Sequence, residues 1–179
     1  KIAFFTALTE RAYFIKSLAP PDLDVTLVDL DLSQSEQIAL CKDADAIISS
    51  YVTVDVIKDC PKVKLIQTLS AGFDQLDAST IGEMGIPIAN NGGANAIAVA
   101  EHSIALMINI GKRMMLQWNS ATKQREWRAN LYLDDLSELT DKTVGIVGMG
   151  RIGRHVAKRL TGFDTHTIYH DIIEVPSDV

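Results

Sequence analysis

The run Val144-Gly145-Ile146-Val147-Gly148-Met149-Gly150-Arg151-Ile152-Gly153 restricts the folds open to this chain more than any other stretch. Four apolar or small residues suited to a strand lead into three glycines spaced G-x-G-x-x-G. Gly148 suits a tight turn, Gly150 lets a phosphate group come close to the backbone, and Gly153 lets the following helix pack close to its strand. The helix is marked by Ile152, Val156, Ala157 and Leu160 at helical spacing, with Arg151, Arg154, Lys158 and Arg159 between them. Its first N–H groups and its positive dipole end would face an anion.

A glycine triplet alone would be compatible with an ordinary turn, so the residues after it matter. The helix pattern stops near Thr161-Gly162, and His166-Thr167-Ile168-Tyr169 forms a second strand. Asp171 stands at its end, about 20 residues beyond the glycines, where a dinucleotide-binding βαβ unit needs an acid. A carboxylate there accepts hydrogen bonds from ribose hydroxyls and repels a 2′-phosphate. The expected cofactor is therefore NAD. Ile172 and Ile173 follow where an NADP site would be expected to carry an arginine.

Upstream of this turn, short apolar runs alternate with helical patterns. Ile2–Phe5, Val25–Val28, Ala46–Ser49, Leu65–Thr68 and Pro87–Ala89 read as strands, and Arg11–Leu18, Ser35–Cys41 and Val54–Asp59 as helices. Such βαβα order implies a parallel sheet covered on both faces, separate from the sheet of the glycine turn. From Asn95 to about Met115 a proline-free apolar stretch predicts a long, mostly buried helix that runs from one α/β unit to the other and walls the cleft between them. Its uncharged part, His102 to Gly111, falls short of the roughly 20 residues a bilayer requires. Trp118 to Trp127 predicts a second short helix, with Trp127 anchoring an acidic connector that continues to Lys142. The expected division is 1–95 for one domain and 96–179 for the linking helix and the first part of the next.

Two loops carry candidate binding residues. Ser70-Ala71-Gly72-Phe73-Asp74 follows a parallel strand at its carboxyl end, the usual ligand side of open α/β sheets. The amides of Ala71 and Gly72 can turn toward a carboxylate, although the same residues would also serve as a plain strand-to-helix turn. Asp74 and Asp77 suit helix starts. Asn90-Asn91-Gly92-Gly93-Ala94-Asn95 precedes the long helix, and Asn95 can cap it, hold a substrate oxygen, or do both. Glu101 and His102 are adjacent on a helix, point about 100° apart, and read as structural.

The balance of 17 basic against 23 acidic residues, net −6, argues against nucleic acid and an anionic membrane as partners. Cys41 and Cys60 lie far apart without C-x-x-C or Cys/His clustering, so spacing suggests neither a disulfide framework nor a zinc site. No secretory signal is visible at Lys1-Ile2-Ala3-Phe4-Phe5. A reduced, cytoplasmic setting is expected.

Taken in order, Ser70-Ala71-Gly72-Phe73-Asp74 with Leu76-Asp77, Asn95 with Ala98-Val99-Ala100-Glu101-His102, Trp127, and Thr143 to Gly153 with Tyr169 and Asp171 resemble the N-terminal half to three-fifths of the NAD-dependent D-2-hydroxyacid dehydrogenases. That group includes D-phosphoglycerate, glyoxylate/hydroxypyruvate and formate dehydrogenases. The resemblance implies an α/β fold with a flavodoxin-like substrate domain and the start of a Rossmann NAD-binding domain. It implies that Ser70, Ala71 and Gly72 hold the substrate carboxylate and that Asn95 sits beside the substrate. Gly148, Gly150, Arg151, Ile152 and Gly153 would take the cofactor pyrophosphate, and Asp171 the ribose.

The family's catalytic arginine, its acidic partner and its histidine come later in the chain, so no catalytic residue is expected within Lys1–Val179. His102, His155, His166 and His170 do not take the missing histidine's place. The resemblance implies hydride transfer between a D-2-hydroxy acid and its 2-oxo acid, in a protein roughly twice this length. An NAD-sensing binding protein or corepressor of the same fold is the alternative. A two-fold dimer formed through the long helix and the connector around Trp118–Trp127 is expected, because so apolar a helix needs a partner surface.

Overall fold

A computed structural model describes residues 1–126 and 136–175. Trp127 therefore lies outside the described residues. The chain divides into two compact units, Lys1–Gly92 and Gly93–Val179.

The first unit alternates strands β1 (Ile2–Phe5), β2 (Val25–Val28), β3 (Ala46–Ile48), β4 (Leu65–Gln67) and β5 (Ile88–Ala89) with helices α1 (Glu10–Ser17), α2 (Gln34–Cys41), α3 (Val54–Lys58) and α4 (Ala78–Glu83). All pairings are parallel, in the order β2-β1-β3-β4-β5. This is the flavodoxin-like order. Short β-branched and aromatic runs are the right material for it, since a parallel strand buried on both faces needs no polar alternation. Ala3, Phe5, Val28, Ile47 and Ile66 from the strands pack with Cys41, Val56, Ile57, Cys60 and Ile81 from the helices and connections in one core.

Helix starts follow local chemistry. Thr9, Thr53 and Asp77 accept hydrogen bonds from the backbone N–H groups of Ala12, Val56 and Thr80, and Ser33 with Glu36 forms a reciprocal capping box at α2. Asp77 also accepts from the Thr80 hydroxyl at 2.7 Å, and the Thr80 backbone N–H together with this hydroxyl holds its carboxyl below the ordinary range. It is a helix-start residue.

The second unit opens with α5 (Ala96–Lys112) and α6 (Met114–Asn119), followed by a π-helical turn, Ser120–Gln124. The periodicity expects one helix through Met115, but Arg113 adopts a left-handed conformation, φ 49°, and divides it. Nor is the helix mostly buried. Ala96, Ala100 and Ile104 are buried, whereas Ile97, Leu106 and Ile110 are exposed, because the helix is covered along one narrow stripe only. β6 (Thr143–Val147), α7 (Arg151–Leu160) and β7 (His166–His170) form a parallel βαβ unit. Ala100 of α5 packs with Val156 and Leu160 of α7, flanked by Met107, Leu139, Val144 and Ile146. Among the described residues no helix is long and apolar enough to cross a membrane.

Candidate functional site

In the second unit the three glycines are required for three different reasons. Gly148 has φ +93°, a conformation that L residues rarely adopt, and its N–H donates to the carbonyl of His170 at 2.8 Å. A Cβ on Gly153 would stand 2.2 Å from the carbonyl oxygen of Gly148 and 3.2 Å from Cγ2 of Ile146, so only glycine lets α7 lie this close to β6. Gly150 has φ −76° and a Cβ there would meet no atom within 4 Å. Neither backbone conformation nor protein packing demands glycine at 150. What its missing side chain leaves open is the space in front of the helix start. No side chain caps that start, and the first amides of a helix have no partner within it.

Asp171 closes the turn from the end of β7. One carboxylate oxygen accepts from the Met149 N–H at 2.6 Å, the other from the Ile173 N–H at 3.1 Å. The Ile173 and Met149 amides hold its carboxyl below the usual carboxylate range. Arg154 reaches back from α7 to donate to the Met149 carbonyl at 3.0 Å. A Cβ on Gly93, which has φ +91°, would lie 2.6 Å from Cδ of Arg151, so the Arg151 stem occupies the place beside the segment leading into α5. Asn95 stands two residues further on, at the start of α5. It occupies the N-cap position of α5 but its side chain makes no capping bond, since its backbone, at φ −100° and ψ 5°, is not the extended form from which a cap reaches forward. Glu101 pairs with Arg159 of α7 at 2.9 Å, a structural contact between two helices.

In the first unit, the loop after β4 has its carbonyls tied back. Thr68 Oγ1 donates to the Ser70 carbonyl at 2.7 Å and Ser70 Oγ to that of Gly72 at 2.7 Å. Asn90 Nδ2 donates to the Ala71 carbonyl at 2.7 Å, and the Asn91 N–H to that of Ser70 at 3.0 Å. Ser70, Ala71 and Gly72 are themselves exposed. A loop with its carbonyls engaged from behind can offer its amides to an anion in front. The role of Asn90 and Asn91 as props was hidden in the sequence, where they stand about twenty positions from what they hold.

Beside this loop, at the carboxyl ends of β1 and β3, lies a hollow of 160 Å³ lined by Phe5, Thr6, Ser49, Ser50, Tyr51 and Leu69 among others. Strand order reverses between β1 and β3, which is where ligands enter open α/β sheets. Ser50 Oγ lies 3.3 Å from Ser70 Oγ and links the hollow to the loop. Ser49-Ser50-Tyr51 belong to no motif in the sequence. A pair of hydroxyl residues ending an apolar strand was the available signal.

No group of histidine, cysteine, aspartate and glutamate able to hold a metal ion occurs among the described residues.

Comparison with known proteins shows the family and the fold. A family model described as "D-isomer specific 2-hydroxyacid dehydrogenase, catalytic domain" matches residues 2–175. A glyoxylate reductase of Thermofilum pendens is 32% identical over 145 residues, 78% of this chain and 42% of its own length. A D-3-phosphoglycerate dehydrogenase of Methanocaldococcus jannaschii is 34% identical over 143 residues, 78% of this chain and 27% of its own. The crystal structure of D-lactate dehydrogenase from Aquifex aeolicus, complexed with NAD and lactic acid, superposes with a TM-score of 0.80 at 25% identity, over 99% of this chain and 53% of that one. The chain thus spans less than half the length of the two curated relatives. On the strength of a match over nearly all its length, it belongs to the D-isomer specific 2-hydroxyacid dehydrogenase family.

Proposed function

We propose that the protein is an NAD-dependent oxidoreductase interconverting a D-2-hydroxy acid and its 2-oxo acid, to which this chain contributes the carboxylate loop and the cofactor turn. The observation that carries the reading is Gly150, a glycine with an ordinary backbone and open space where its side chain would be. A residue so placed is explained by something other than protein approaching the backbone. Gly148, Gly150 and the amides of Arg151, Ile152 and Gly153 would hold the pyrophosphate, and Asp171 has lone pairs left for the ribose hydroxyls. Bound there, NAD supplies the hydride acceptor or donor. Ser70, Ala71 and Gly72 would hold the substrate carboxylate, the hollow at Ser49–Tyr51 would receive the rest of the acid, and Asn95 would contact a substrate oxygen. We assign no catalytic proton transfer to a residue of this chain. His155 faces Arg159 on α7 and His166 and His170 end β7.

The separation of 1–95 as substrate domain from 96–179 as linking helix and start of the cofactor domain follows the same reading. The exposed apolar residues Leu106, Ile110, Met114, Met115, Leu116 and Trp118 on α5 and α6 suit a two-fold dimer contact, tested by light scattering. The free thiols of Cys41 and Cys60 and the acidic surface fit a cytoplasmic protein acting on small molecules, without nucleic acid or membrane partners.

The test is Gly150→Ala. Its melting temperature should match the wild type while NAD affinity falls at least tenfold, about 1.4 kcal/mol. Unchanged NAD binding would sink the assignment. The wild type should also prefer NAD to NADP by at least tenfold, because the Asp171 carboxylate would face the 2′-phosphate; equal affinity would contradict that role.

A further inference from the structure

Cys41 closes α2 and Cys60 lies just past α3, yet the fold sets their sulfurs 3.0 Å apart. Both side chains are buried, at 0% and 2% exposure. Their surroundings are apolar, with Ala44, Val56, Ile57 and Val63 in the same core. Cys60 Sγ also donates to the Val56 carbonyl at 3.2 Å. Nothing in the proposed dehydrogenase chemistry uses either thiol, and two sulfurs do not make a metal site.

We propose that Cys41 and Cys60 form a modification site at which a hydroperoxide oxidises the pair to an intramolecular disulfide. A disulfide needs sulfurs about 2.05 Å apart, so the two must close by roughly 1 Å, within reach of small side-chain adjustments. One thiolate attacks a peroxide oxygen and breaks the O–O bond, giving a sulfenic acid and, once protonated, water. The second thiol displaces the sulfenic oxygen as a second water and gives up its proton. Two thiols and one hydrogen peroxide thus become one disulfide and two waters, with two electrons passing from the sulfur pair to the O–O bond.

Cys41 is the first attacker and Cys60 the resolving thiol. The Cys60 proton is held by the Val56 carbonyl and burial pushes this thiol up to about 12, which leaves Cys41, itself raised by burial, as the thiol that ionises first. Burial makes the first step slow and dependent on local opening, and proximity makes the second fast. The bridge would close a loop of about 20 residues that contains β3, Ser49-Ser50-Tyr51 and α3, so it would clamp the segment bearing one wall of the candidate substrate hollow.

The test is exposure of the whole chain to millimolar hydrogen peroxide, followed by intact mass and non-reducing peptide mapping. The expected product has lost two hydrogens, contains a Cys41–Cys60 cross-linked peptide, and melts about 10 °C higher, a shift that dithiothreitol reverses. Cys41→Ser and Cys60→Ser should each lose the bridge and show no reversible rise. Oxygen adducts without the bridge, chain-to-chain disulfides, or two thiols still titratable in denaturant would each overturn the proposal. Because the wild-type product is read directly, poor folding of either variant does not decide the outcome.

Discussion

Lys1–Gly92 and Gly93–Val179 are both built from parallel strands joined by helices, yet they bury those strands differently. In the first, Ala3, Phe4 and Phe5 of β1 are buried, as are Ile47 and Ile66 at the middles of β3 and β4. In the second, β7 is exposed along its length and Val147 at the end of β6 is 88% exposed, while α7 packs against Val144 and Ile146 of β6. The first unit separates its tasks: apolar side chains make the core below, and loops at the carboxyl ends make the proposed binding surface. The second unit merges them, since the close approach that packs α7 onto β6 belongs to the same backbone geometry as the proposed phosphate turn.

The strongest test of that merger is Gly153→Ala. The new methyl would stand 2.2 Å from a backbone oxygen, so α7 must move off β6. We expect a loss of about 4 kcal/mol or more in the second unit, read by calorimetry, together with loss of NAD binding. Retention of both would break the comparison.

Next in size is a paired substitution. Ile66→Ala in the first core should cost about 2–5 kcal/mol, because a fully buried side chain leaves a cavity. In Lys1–Val179 taken by itself, Ile168→Ala, at 61% exposure on β7, should cost less than about 0.5 kcal/mol in thermal or urea unfolding. Equal costs would mean that the bare face of β6 and β7 is covered in solution.

A smaller effect is expected from Thr68→Val. Thr68 is fully buried and its hydroxyl holds the Ser70 carbonyl, so the near-isosteric change removes one donor while the Asn91 N–H still engages that oxygen. Stability should fall by about 1 kcal/mol, and the KM for a 2-oxo acid should rise more than kcat falls. A variant with unchanged KM would detach the loop's props from its binding role.

The smallest effect concerns acidity. The carboxyl of Asp171 is held low by the Ile173 and Met149 amides, so its contribution to the turn is present above its ordinary value near about 4 and disappears as pH falls through the lowered folded value. NAD affinity should stay level from about pH 8 to pH 5 as far as this group is concerned, and weaken only below about pH 4. Asp171→Asn, measured alongside, should remove that acid limb.

Which parts of this could be read from residues alone follows from the range of the interactions. The strands and helices of the first unit are visible because their apolar periods are local, with ends displaced by a residue or so: β3 stops at Ile48 and β4 at Gln67, one residue short of the expected ends. Strand order is not local, and the reversal between β1 and β3 that creates the hollow at Ser49–Tyr51 leaves no mark in spacing. The break at Arg113 was equally hidden, since a left-handed residue other than glycine carries no compositional signal. The strand, turn, helix and second strand around the glycines were legible because their constraints act within about 25 residues, whereas the bond from the Met149 amide to Asp171 was not. Cys41 and Cys60 mark the opposite case. Their separation argued against partnership, and only the packing of α2 against the segment after α3 joins them.

The two backbone bonds of Asp171 have a consequence for how cofactor preference can change over evolutionary time. The same carboxylate that would choose between NAD and NADP also fastens the Met149 amide. A mutation to a small neutral residue, the simplest route toward accepting a 2′-phosphate, would release the turn along with the selectivity and weaken both nucleotides at first. Lineages that crossed this gap would have had to acquire a second residue to hold Met149 before or together with the change at 171, so preference at this site should be slow to drift and should move in coupled steps.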